Sequence, residues 1–142
     1  MTPDEMKALV QRFYDEGWNN GDLSVYDELV AEDFTEYPGV PGLEGREGFR
    51  QLNVMFKQAV PDMNVTVDQL VAEGDRIACR WTSTGTQTGE LFGIPATGNE
   101  LHVTATLIYR VEDGRLKEGW INRDDLGLMR QLGVVPTPGA EE

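Results

Sequence analysis

The 142-residue chain has a single cysteine, Cys79, and a single histidine, His102. One cysteine cannot form an internal disulfide, and a metal site built on cysteines or several histidines has no ligands to draw on. Basic residues are scarce too: 12 Lys and Arg stand against 25 Asp and Glu, a net charge of −13 with no basic cluster. Nucleic acid and anionic membrane surfaces therefore find no electrostatic footing. No apolar run approaches a membrane-spanning length. The start, MTPDEMKAL, is acidic and amphipathic, unlike a signal peptide, and the expected location is the cytoplasm.

What is present suits one domain, residues 1–142, long enough for a real core, with 136–142 as a frayed tail. Thr2-Pro3-Asp4-Glu5 reads as a capping box with Pro at the first helical position. Met6, Leu9, Val10, Phe13, Tyr14 and Gly17 then recur at helical spacing. Ser24 is placed to cap a short second helix burying Tyr26, Leu29 and Val30. Residues 34–45, with Pro38, Gly39, Pro41 and Gly42, read as a loop. A third helix over 46–60 carries Phe49, Leu52, Met55, Phe56 and Ala59 on one stripe and stops at Pro61.

Beyond Pro61 the period changes to two, with strands at 65–72 and 76–87, a Gly- and Pro-containing loop at 88–100, and a hairpin at 101–123. Asp113-Gly114 is its turn. A two-residue loop would pair Glu112 with Arg115; a Gly bulge would pair Val111 with Arg115 and is preferred. It puts His102, Thr104, Thr106 and Ile108 on one face with Glu118, Trp120, Asn122 and Asp124. The opposite face holds Val103, Leu107, Tyr109 and Ile121. It is expected to point away from the helices and to pair the chain as a homodimer. A last helix over 126–132 ends at Gly133.

Helices first and a meandering sheet afterwards indicate an α+β fold with segregated layers. If the sheet curves around the helices, it leaves a cavity suited to a small molecule.

The chain resembles the SnoaL-like polyketide cyclases of the nuclear-transport-factor-2-like superfamily. The resemblance rests on RFYDEGWNNGDLSVYDELVAEDF, on GLEG-REGF followed by AVPD, on AEGDRIACRWTSTGTQTGELFGIPATG, and on YRVEDGRLKEGW before DDLGLMRQLG. It implies a cone-shaped α+β barrel, with N-terminal helices packed in a curved, mostly antiparallel sheet. It also implies an acid/base enzyme with no metal or organic cofactor, acting on a hydrophobic, polycyclic substrate in antibiotic biosynthesis. In that chemistry an aspartate removes a proton α to a carbonyl, and the enolate closes a ring by intramolecular aldol addition on a polyketide ester. Asp124 is the position that looks like this aspartate.

Around Asp124, His102 is a candidate acid or orienting partner, Trp120 a wall and Asn122 an oxyanion donor. Asp125 is then left to cap the last helix. Tyr14, Leu52 and Phe56 are candidate substrate contacts. The sequence departs from the family at two histidine positions, carrying Tyr37 and Gln87, both able to donate hydrogen bonds to an oxyanion. Ring closure heads the expected activities, with isomerisation, hydration or hydroxylation as relatives. The alternative is a non-catalytic module that binds a small molecule or dimerises.

Overall fold

The structure is a computed structural model that describes residues 1–136 and 138, so most of the expected frayed tail lies outside the described residues. Helix α1 spans Pro3–Arg12, and its capping box is closed as expected: Glu5 N–H donates to Thr2 Oγ1 at 3.1 Å, and Thr2 N–H to Glu5 Oε1 at 2.8 Å. The helix then widens into a π-helical segment, Phe13–Asn19. Helix α2 covers Val25–Leu29, with Ser24 at its N-cap making no side-chain cap bond. Helix α3 covers Gly45–Ala59, and α4 covers Asp125–Gln131. No helix of the described residues is long and apolar enough to cross a membrane.

Five strands follow one another as β1 (Val30–Tyr37), β2 (Asn64–Glu73), β3 (Arg76–Thr86), β4 (Glu100–Glu112) and β5 (Arg115–Arg123). They form one sheet in the order β1-β5-β4-β3-β2, antiparallel except for the β1–β5 pair. The α+β cone is thus the observed fold. One strand was unexpected. Residues 34–37, read as the start of a loop, complete β1, whose charged AEDFTEY sequence suits an edge with a single neighbour.

The hairpin closes with the tighter alternative. Glu112 pairs with Arg115, and Asp113 (φ 52°) and Gly114 (φ 75°) form the turn. Both central residues have positive φ, as a two-residue hairpin turn of matching twist requires. The register then slips by one between Arg110 and Val111, so Ile108 faces Trp120 and Thr106 faces Asn122. Because that slip restores the parity of the pairing, the expected partition of side chains between faces holds.

The orientation of the faces is inverted. Val103, Ala105, Leu107, Tyr109 and Val111 are buried, and α1 and the π segment pack over this side of the sheet. The strip expected to pair two copies is therefore core, and the reason given for a homodimer through it is withdrawn. Burying these residues removes far more apolar surface from water than burying the His102–Ile108 face would.

Two clusters of core residues leave a gap between them. The larger gathers α1, the π segment, α2 and the middle of the sheet around Phe13, Tyr26 and Tyr109; Phe13 stacks on Phe49 at 5.5 Å. The smaller joins the end of α3, the start of β4 and α4 through Phe56, Leu101, Val103 and Leu128. Trp18 and Met63 touch both.

Candidate active site

The gap is a pocket of about 70 Å³, bounded by the π segment, α3 and the inner face of β3–β5. Its wall is mostly apolar and includes Tyr14, Leu52 and Phe56, as expected from the sequence, together with Trp81, Leu107 and Tyr109. The π segment brings Tyr14 and Trp18 to this wall. Asn19 fixes its far end to β2, donating to Val65 O at 2.8 Å and accepting Val65 N–H at 2.7 Å. Asn53 of α3 is buried and donates to Gly17 O and to the Tyr26 hydroxyl, both at 3.0 Å, tying the two helical walls together. Opposite them, Gly119 makes room for Tyr109: a Cβ there would sit 3.2 Å from the Tyr109 ring and 3.3 Å from Phe34.

Two ionisable side chains other than phenols line the pocket, Glu36 and Arg123. Alternation along β1 puts Phe34 and Glu36 inside, and Glu36 pairs with Gly119 of β5. Burial pushes the Glu36 carboxyl up to about 7, and the attraction of the Arg123 guanidinium partly offsets the shift. A carboxyl desolvated with little hydrogen bonding is how proteins bring an acid near neutrality. Arg123 ends β5, pairs with Asp125 Oδ1 at 2.6 Å, and lies over the rings of Phe56 (5.2 Å) and Phe92 (5.9 Å). An outer groove of about 730 Å³ runs beneath residues 38–44 and shares Glu36, Phe49 and Leu52 with the inner pocket. Glu36 thus stands where the two spaces meet.

The phenols deeper in the pocket stay neutral. Tyr14 and Tyr109 join hydroxyls at 2.5 Å, and burial above all raises both well beyond the ordinary tyrosine range. Tyr14 thus lines the pocket with its hydroxyl held by Tyr109.

Several other expected site residues are elsewhere. Asp124, not Asp125, is the cap of α4: its Oδ1 accepts Gly127 N–H at 2.9 Å, and the residue is exposed. Asp125 is the Arg123 partner instead. His102, Trp120 and Asn122 lie on the outer sheet face, because β4 and β5 turn their alternate residues inward. Tyr37 is outside with them, stacked on Trp120 at 5.6 Å, while Arg76 covers the Trp120 ring at 4.9 Å. Gln87 is wholly buried but spent on the loop 88–99: Nε2 donates to the carbonyls of Gly89, Ile94 and Pro95, and Oε1 accepts from Thr97 N–H and hydroxyl. That loop turns at Phe92 and Gly93 and presents Leu91 to the pocket.

The family model for SnoaL-like polyketide cyclase matches residues 8–132. The chain belongs to this family. Aklanonic acid methyl ester cyclase DauD of Streptomyces sp. (strain C5) is 28% identical over 137 residues, covering 92% of this chain and 83% of the cyclase. Aklanonic acid methyl ester cyclase DnrD of Streptomyces peucetius is also 28% identical, covering 92% of each chain. Among solved structures, TsrD from Streptomyces laurentii superposes with a TM-score of 0.88 at 32% identity, over 95% of this chain and 99% of its own.

Sequence patterning for a SnoaL-like chain singled out the wrong sheet face, and so passed over Trp81, Tyr109 and Arg123; Glu36 was missed separately. The signal was present in the unbroken apolar alternation from Leu101 to Val111, which marks the buried face. The glutamate sits two residues before Pro38 in a charged stretch, where no spacing sets it apart.

Proposed function

We propose that this chain performs acid/base chemistry on a hydrophobic carbonyl compound, closing a ring by intramolecular aldol addition on a polyketide ester, with Glu36 as the proton-transfer group. The observation that carries this reading is a solitary carboxyl, held near neutrality, at the junction of an apolar chamber and a larger groove. The family and the two cyclase relatives support the reaction class. In the proposed cycle, Glu36 carboxylate takes a proton from the carbon α to a carbonyl. The enolate carbon then bonds to a second carbonyl carbon of the same molecule, and Glu36 returns its proton to the new alkoxide. Base and acid are one group, for which a pKa near the working pH is the favourable compromise. The groove is large enough for a several-ring body, within the ~300–1,000 Å³ usual for ligand sites, while the chamber holds the reacting end.

The test uses ketones with exchangeable α-protons, a panel of tetralones and anthraquinone esters including aklanonic acid methyl ester. Exchange in heavy water and ring closure are followed by mass spectrometry. Wild type should accelerate at least one of them, and Glu36→Gln should lose about 10²–10⁴-fold of that rate. No acceleration over buffer, or an undiminished Glu36→Gln variant, sinks the reading.

A further inference from the structure

The floor of the chamber holds an imbalance of donors. Tyr14 and Tyr109 have two hydroxyl protons between them, and their mutual hydrogen bond uses one. Beside them, Trp81 Nε1 is buried with no hydrogen-bond partner. Its N–H leans on the Tyr14 oxygen without closing a bond of good geometry, the rings standing 6.4 Å apart and tilted by 52°. An indole N–H can only donate, so the shortage is of an acceptor. A buried polar group left unpaired costs ~1–3 kcal/mol and calls for an explanation; at the wall of a chamber, a ligand oxygen supplies one.

We infer that Tyr14, Tyr109 and Trp81 form an oxyanion subsite that receives the carbonyl oxygen of the ligand and holds it as it becomes an enolate. The inference rests on the carbonyl chemistry proposed for Glu36 and adds to it the orientation of the substrate. The oxygen is directed to the floor, beside the phenols. The adjacent α-carbon is directed toward Glu36, and the remainder of the molecule extends into the outer groove. Neutral donors suit this task. They polarise a carbonyl without surrendering a proton, and burial, together with the charge of Glu36, keeps both phenols from ionising. A ligand with no carbonyl or phenol oxygen on its leading ring would leave Trp81 unsatisfied and is disfavoured.

The experiment reads binding, not turnover, so it separates this inference from the role of Glu36. α-Tetralone, isotopically labelled at the carbonyl carbon to clear its band from the protein amides, is titrated into the full chain and followed by infrared difference spectroscopy. The bound ketone should absorb at lower wavenumber than in hexane. Trp81→Phe and Tyr109→Phe should each return the band part of the way and weaken binding by about 2- to 10-fold. Glu36→Gln should cut α-proton exchange by about 10²–10⁴-fold, while ketone bound to it still absorbs below its wavenumber in hexane. The inference is overturned if α-tetralone fails to bind, if its band in wild type matches that in hexane, or if both aromatic variants reproduce the wild-type band and affinity. The hexane comparison needs wild type alone, so it decides the matter even if a variant does not fold.

Discussion

Glu36 of β1 and Arg123 of β5 line one chamber, and the guanidinium is the charge that draws the buried carboxyl back toward ionisation. Arg123 is itself held by Asp125 and rests against the rings of Phe56 and Phe92, which meet edge to face. The acid is therefore tuned by a cation whose position depends on α3, the 88–99 loop and the start of α4.

Proton abstraction needs the ionised carboxylate. The rate of α-proton exchange should accordingly rise with pH through about 7 and level off above it. Replacing Arg123 by Leu removes the offsetting attraction, so the midpoint should move upward. A pH–rate profile of wild type and Arg123→Leu measures both; a midpoint unmoved or lowered in the variant contradicts the coupling.

Stability should show the opposite trend. The Glu36 carboxyl is raised from 4.5 to about 7 on folding, so the folded state favours its protonated form. That contribution is complete below about 4.5 and is lost as pH rises through about 7. At about 1.4 kcal/mol per pKa unit, the ionised side chain costs wild type no more than ~3.5 kcal/mol above neutrality. Glu36→Gln should melt higher than wild type above pH ~7, with the gap closing in acid. Thermal melts across that range would expose the error if the variant gained nothing.

Asp124 offers a clean contrast. Its carboxylate caps α4 through Gly127 N–H, and Asp124→Ala should cost about 1 kcal/mol of stability while sparing exchange chemistry. A Cβ on Gly127 would lie 2.2 Å from Asp124 Oδ2, so Gly127→Ala must displace the cap and should destabilise less once Asp124 is already Ala. A double-mutant cycle on melting temperature checks the pair, and a large loss of exchange in Asp124→Ala would restore it as the catalytic acid.

Gln87 anchors the loop by five hydrogen bonds. Gln87→Leu keeps the bulk but removes these bonds from a half-buried loop, at about 1 kcal/mol net for each one lost. Amide hydrogen exchange should accelerate across 88–99, and ketone affinity should fall as Leu91 and Phe92 lose their places. Unchanged protection in that loop would refute the anchoring role.

The helices, the four antiparallel strands and the position of the hairpin turn, though not its type, were legible because each follows from local chemistry: a capping box, a period, an Asp-Gly pair. What failed was a global quantity. Which side of a strand faces inward depends on where the helices land, and grouping His102, Trp120 and Asp124 by chemical interest outweighed the plainer apolar run of β4. Glu36 was hidden for a different reason. An inward-pointing acid on a charged edge strand looks like its solvated neighbours Glu32 and Asp33 until β5 is paired beside it.

The widened helical segment at Phe13–Asn19 acts as a phase shifter. One residue fewer would restore the ordinary pitch and turn the remainder of the segment by about 100° relative to α1. Trp18 would swing off the chamber wall, and Asn19 would lose its two-way grip on Val65. A single-codon insertion or deletion at this point could thus recontour the chamber in one step, leaving the sheet, Glu36 and the donors on Trp81 and Tyr109 where they stand.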